Sequence, residues 1–163
     1  MNPLLERLQP YPFERLRALL ADVRPSQEHD PLNLSIGEPR HPTPAVIRDA
    51  VVAHLDGLAS YPPTGGSVAL RVAIAKWIDR RYGLVGIDPD TQVLPVNGSR
   101  EALFAFAQAV IDPVSDSRVV CPNPFYQIYE GAALLAGAEP YYVNCLERHR
   151  FQPDWSAVPD EVW

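Results

Sequence analysis

The stretch Val96-Asn97-Gly98-Ser99-Arg100-Glu101-Ala102-Leu103-Phe104 joins two kinds of pattern. Ahead of it, Thr91 to Val96 reads as a strand. Behind it, Ala102, Leu103, Phe106, Val110 and Ile111 recur at helical spacing. The first backbone N–H groups of a helix have no internal partner and carry the positive end of its dipole, so a phosphate can rest on them. Gly98 would let the backbone approach such an anion, Ser99 adds a hydroxyl donor and Arg100 a charge. Asn97-Gly98 is also a strong hairpin signal. A hairpin needs a second strand, however, and the helical period after Gly98 favours the anion cradle.

Outward from this turn the pattern alternates: helix over 100–111, strand over 117–121, helix over 124–136, strand over 139–145. Short links between alternating elements predict a parallel sheet covered by helices. Toward the N-terminus, Phe13, Leu16, Leu19, Leu20 and Val23 form an apolar helical stripe closed by Pro25. Leu32 to Ile36 is short and strand-like. Thr43 is placed to cap a helix with Pro44 at its first position and Val46, Ile47, Ala50, Val51 and Leu55 on its buried face. Tyr61 to Gly66 is a Pro/Gly loop. Ser67 then caps a helix carrying Leu70, Ile74, Trp77, Ile78 and Arg81 along one side, with Gly83 as its stop.

The 163 residues are 47% hydrophobic and 21% charged, enough for one core and unlike a disordered chain. A net charge of −6 with no Lys/Arg cluster argues against nucleic-acid binding. No apolar run reaches membrane length and no signal pattern opens the chain, so a cytoplasmic location without membrane attachment is expected. Cys121 and Cys145 have neither metal-ligand spacing nor a disulfide framework, and both read as free thiols. His29, His41, His54 and His149 are scattered, and no metal site is expected. The 18 prolines fall mostly between periodic segments, as loop punctuation. Two or three strands make a thin parallel sheet, and Trp155, Val158, Val162 and Trp163 look like part of a continuing element. The chain therefore reads as the N-terminal piece of something larger.

Four segments, through their order and spacing together, resemble the start of a class I/II aminotransferase, a pyridoxal-phosphate enzyme of fold type I. They are Leu34-Ser35-Ile36-Gly37-Glu38-Pro39, Tyr61-Pro62-Pro63-Thr64-Gly65-Gly66 with Leu70-Arg71, Asn97-Gly98-Ser99-Arg100-Glu101-Ala102, and Asn123-Pro124-Phe125-Tyr126. Within that group, Gly37 to Pro44 and Asn123 to Gly131 look most like the N-succinyldiaminopimelate aminotransferases of lysine biosynthesis. The resemblance implies the large, cofactor-binding domain of that fold, incomplete here. Residues 1–31 would be an N-terminal arm and helix, and 32–163 the first portion of the large domain.

Carried over, the resemblance implies that Ser99 and Arg100, after the Gly98 turn, hold the phosphate of pyridoxal 5'-phosphate. Tyr126 would lie against the pyridine ring, Tyr61 would reach the phosphate of a neighbouring subunit's cofactor, and Ile36 and Gly37 would approach the substrate carboxylate. Read alone, Tyr126 is equally a core aromatic, Tyr61 a loop anchor, and Ile36-Gly37 a strand running into a turn. The implied partners are amino-acid and 2-oxo-acid substrates and a second copy in a homodimer with shared active sites.

The resemblance also implies a Schiff-base lysine, and the chain's single lysine, Lys76, does not match its place. On its helix Lys76 points away from the apolar side, as a solvated surface lysine does. The chain alone is therefore expected to be inactive, with no catalytic residue of its own, and to be poorly soluble or oligomeric. For the full-length parent, a transaminase acting on N-succinyl-LL-2,6-diaminopimelate with 2-oxoglutarate is expected. The alternatives are an aromatic or aspartate-type aminotransferase and, in a different class, a non-catalytic aminotransferase-like binding module.

Overall fold

The computed structural model describes residues 1–30 and 32–163, so the expected division at residue 31 lies outside the described residues. Two compact units are present: Met1–Val23 together with Val96–Trp163, and Arg24–Pro95.

The first unit contains the sheet. Helix α1 spans Pro12–Leu19, α4 Ser99–Val110, strand β1 Arg118–Asn123, α5 Ile128–Ala136 and strand β2 Glu139–Asn144. The strands pair in parallel, with Arg118 opposite Glu139 and Asn123 opposite Asn144. A parallel pair needs a crossover between its strands, and α5 supplies it. The buried residues are Cys121, Ala132, Ala133, Leu134, Ala136, Ala138, Val143 and Val158. Ala132, Ala133 and Ala136 keep one side of α5 small, which lets the helix lie close to the sheet. Gln108 Nε2 donates to the Ala132 carbonyl (3.1 Å) and so ties α4 to α5. A 3-10 turn at Pro3–Arg7 is pinned to the start of β2 by an Arg7–Glu139 ion pair.

The second unit holds α2 (Ala45–Ala53) and α3 (Val68–Tyr82). Ser67 caps α3 as expected, its hydroxyl accepting from the Leu70 N–H (3.2 Å), and Gly83 closes the helix in the left-handed region.

Several expected elements differ. Leu32 to Ile36 is not a strand; the Asn33 side chain accepts from both the N–H and the hydroxyl of Ser35, a local turn that competes with sheet pairing. Thr91 to Val96 is not a strand either. Asp88 accepts from the Asp90 N–H (2.9 Å) and the Thr91 hydroxyl (2.6 Å), while Gln92 accepts from the Asp88 N–H, and the chain turns there. Helix α2 begins one residue later than expected, with Pro44 at the N-cap and no side-chain cap from Thr43. Its expected buried face is open: Val46 is 74% and Val51 59% exposed, because nothing in the described chain covers it. The fifth helix starts at Ile128 rather than 124, after an Asn123–Pro124 cis peptide and a turn carrying Phe125 and Tyr126.

Candidate active site

Gly98 occupies the N-cap of α4 and has no side chain to cap it. Among the described residues no side chain takes over that role, so the N–H groups of Ser99, Arg100 and Glu101 are free to face an anion. The Ser99 side chain is exposed beside them. Gly98 itself has φ −168°, ordinary extended backbone, so the left-handed geometry that favours glycine is not its reason for being there. Room is the reason. A Cβ on Gly98 would run into Glu101 Oε2, which folds back over it.

The Asn123–Tyr126 turn brings Tyr126 to the same helix end. Arg100 Nε donates to the Tyr126 hydroxyl at 2.6 Å, and the guanidinium carbon lies 5.4 Å from the ring centroid. This hydrogen bond is the main cause of a pKa for Arg100 raised above the ordinary arginine value, with Tyr11 adding to it and desolvation opposing. Tyr126 also meets Tyr129 edge-on, centroids 6.0 Å apart, and is 37% exposed. The ring is thus partly exposed beside the uncapped start of α4.

The turn is held from below. Phe125 stacks on Tyr142 of β2 with centroids 5.5 Å apart and planes 17° off parallel. The Tyr142 hydroxyl donates to Glu130 of α5 at 2.5 Å; that bond, with burial next and the Glu130 charge after it, pushes the phenol up to about 12. At the carboxyl ends of the strands, where α/β sheets carry their ligands, Asn123 Nδ2 donates to Asn144 Oδ1 (2.8 Å) and the Cys145 N–H to the Asn123 carbonyl (2.8 Å). Cys121, two positions earlier on β1, is 1% exposed with its thiol pushed up to about 11 by burial, so it is a packing residue rather than a nucleophile.

Gly98, Ser99, Arg100 and Tyr126 are thus gathered in one unit. Ile36, Gly37 and Tyr61 belong to the other. Tyr61 is fully exposed, and Ile36 and Gly37 follow the Asn33 turn into open surface. Lys76 is exposed on α3 in that second unit. Sequence reasoning missed the Tyr142–Glu130 support, because only strand register brings Tyr142 under Phe125. It also missed the fourfold engagement of Arg71, although Leu70-Arg71 had stood out as a motif.

The donor set fits the phosphate of a pyridoxal cofactor: three uncapped N–H groups, an exposed hydroxyl, a protonated guanidinium and an aromatic face together.

The chain belongs to the class I and II aminotransferases, matching that family over residues 29–162. Members of this family depend on pyridoxal phosphate. The chain is 35% identical over 160 residues to an LL-diaminopimelate aminotransferase of Gloeobacter violaceus and 36% identical over 164 residues to one of Dehalococcoides mccartyi. These alignments cover 97% and 99% of the chain but 40% and 41% of the relatives, so the chain spans about two-fifths of the length of the curated relatives it matches. A crystal structure of an aminotransferase from Neisseria meningitidis superposes with a TM-score of 0.90 at 49% identity, over 100% of this chain and 42% of that one. The fold is accordingly a partial fold type I domain, built of helices and a small parallel sheet. Among the described residues no helix is long and apolar enough to cross a membrane.

Proposed function

We propose that the whole protein is a pyridoxal-phosphate-dependent transaminase of diaminopimelate metabolism, exchanging an amino group between a diaminopimelate-type substrate and 2-oxoglutarate. The observation that carries this reading is the uncapped start of α4 at Ser99–Arg100, joined through the Arg100–Tyr126 hydrogen bond to an accessible aromatic face. The substrate form we favour is N-succinyl-LL-2,6-diaminopimelate, on the wording of Gly37 to Pro44 and Asn123 to Gly131; the names of the curated relatives favour the free LL-diaminopimelate.

In this reading the backbone of Ser99 and Arg100 holds the cofactor phosphate, with charge-assisted bonds stronger than neutral ones. Tyr126 lies against the ring, and Arg100 fixes the angle of Tyr126 by holding its hydroxyl. Ile36 and Gly37 line the approach of the substrate carboxylate. Tyr61 reaches the phosphate held by the second subunit of a homodimer. When bound, pyridoxal phosphate supplies an electron sink for the carbon that bears the amino group. Lys76, exposed on α3, takes no part. Residues 1–31 act as an arm, and 32–163 as the first portion of the large domain.

The test is amino transfer to 2-oxoglutarate by the purified full-length protein, offered N-succinyl-LL-diaminopimelate, LL-diaminopimelate, aspartate and an aromatic amino acid. Highest kcat/KM on either diaminopimelate form supports the proposal, and the ratio between the two chooses the substrate. Preference for aspartate or an aromatic amino acid moves the protein to another transaminase specificity. No transfer with any amino donor, in protein that retains cofactor, would favour a non-catalytic binding module.

A further inference from the structure

We propose that Arg71 is the positioning residue of the Tyr61–Gly66 loop and sets the place from which Tyr61 acts. The inference rests on the proposed contact of Tyr61 with a cofactor phosphate, and it begins from an imbalance. The Tyr61 ring is fully exposed, and its hydroxyl makes no hydrogen bond among the described residues. Its location is therefore inherited from the backbone beneath it.

That backbone is held by one side chain. Arg71, in the first turns of α3, is only 14% exposed at its side chain. Its Nη1 donates to two successive carbonyls, Gly65 (3.0 Å) and Gly66 (2.7 Å). Its Nε donates to the Pro89 carbonyl (2.9 Å) and its Nη2 to Asp90 Oδ1 (2.8 Å). Three of the four acceptors are backbone, so the guanidinium fork joins two separate loops to the helix that carries it. A lysine offers a point charge on a flexible stem and cannot reproduce that fork.

The loop has little slack to absorb a loss of this clamp. The Gly66 N–H donates to the Pro63 carbonyl at 2.8 Å, closing a tight turn. Gly66 has φ 74°, and a Cβ there would sit 2.7 Å from Pro95 Cγ, so the turn is walled on that side. Between Tyr61 and the clamped Gly65 stand Pro62, Pro63 and Thr64, and each proline ring locks its own φ. A short stiff segment anchored at one end transmits the position of its anchor. Release of Gly65 and Gly66 therefore displaces Tyr61.

The experiment uses the full-length protein loaded with pyridoxal phosphate, comparing wild type with R71K, D90N, Y61F and the R71K/Y61F double variant. Hydrogen exchange of the peptide covering residues 60–66 is measured by mass spectrometry, and cofactor release by dilution. R71K should speed exchange in that peptide while leaving the rest of α3 unchanged, and D90N should do so less. R71K and Y61F should each speed cofactor release, by about tenfold for the loss of one charge-assisted hydrogen bond. The double variant should release no faster than R71K, because both changes remove the same contact. Unchanged loop exchange in R71K overturns the proposal, as do release effects that multiply in the double variant. If Y61F releases cofactor at the wild-type rate, the phosphate contact of Tyr61 fails, while the exchange measurement still decides whether Arg71 holds the loop.

Discussion

Replacing Glu130 should lower the titration point of Tyr142 and loosen the turn that carries Tyr126. The Tyr142 phenol donates to Glu130 only while it is protonated, and its pKa stands at about 12 against an ordinary value near 10. A group raised in the folded state contributes stability that is fully present below the unfolded pKa. That contribution fades as pH climbs through the folded pKa, here between about 10 and 12. Two units at 1.36 kcal/mol each give about 2.7 kcal/mol as a ceiling. Tyr142 is 45% exposed, so solvent screening brings the expected contribution down to about 1 kcal/mol. Glu130→Ala removes the acceptor and should show the whole loss at neutral pH, whereas Glu130→Gln keeps a neutral acceptor and should fall between. Phenolate absorbance followed against pH reads the titration, with Tyr142→Phe assigning the signal, and urea unfolding of the complete protein reads the stability. A Tyr142 titration left unchanged by Glu130→Ala would refute the reasoning.

Ser67→Ala should cost about 1 kcal/mol by removing the cap on α3, seen as a lower urea midpoint. Gly66→Ala should cost more than the roughly 1–2 kcal/mol of a left-handed alanine, because Pro95 blocks the added Cβ; a calorimetric Tm matching wild type would contradict this. Cys121 should resist alkylation in the native protein near neutral pH and react once unfolded, since burial keeps its thiol protonated; mass spectrometry of the labelled peptides checks it.

What could be read in the sequence was whatever a few neighbouring residues decide. Ser67 and Gly83 bracket α3 through local capping, and the parallel pair with its crossover helix follows from alternating periods at 117–145. The helix start at Gly98–Ser99 was legible because helical spacing sets in directly after the glycine. Strands are different, since they exist only when another strand accepts them. Leu32 to Ile36 and Thr91 to Val96 had the composition of strands, yet Asn33 and Asp88 offered nearer hydrogen-bond partners. Helical faces fail in a related way. The spacing of Val46, Ile47 and Val51 says which side of α2 is apolar, but only another element can bury it. Among the site residues, the Arg100–Tyr126 bond spans 26 positions, and no local pattern signals that pairing.

The link between Arg7 and Glu139 bridges 132 positions and sets a timetable for synthesis. A ribosome adding about 5–20 residues per second needs roughly 7–26 seconds to travel from one partner to the other. Throughout that interval the amino-terminal turn has emerged without the strand that will hold it, while Arg24–Pro95, contiguous in the chain, can gather on its own. The strand that holds the Pro3–Arg7 turn is made late in the first unit, well after the turn itself. In that order of synthesis the Pro3–Arg7 turn waits for its partner while the residues between them are made.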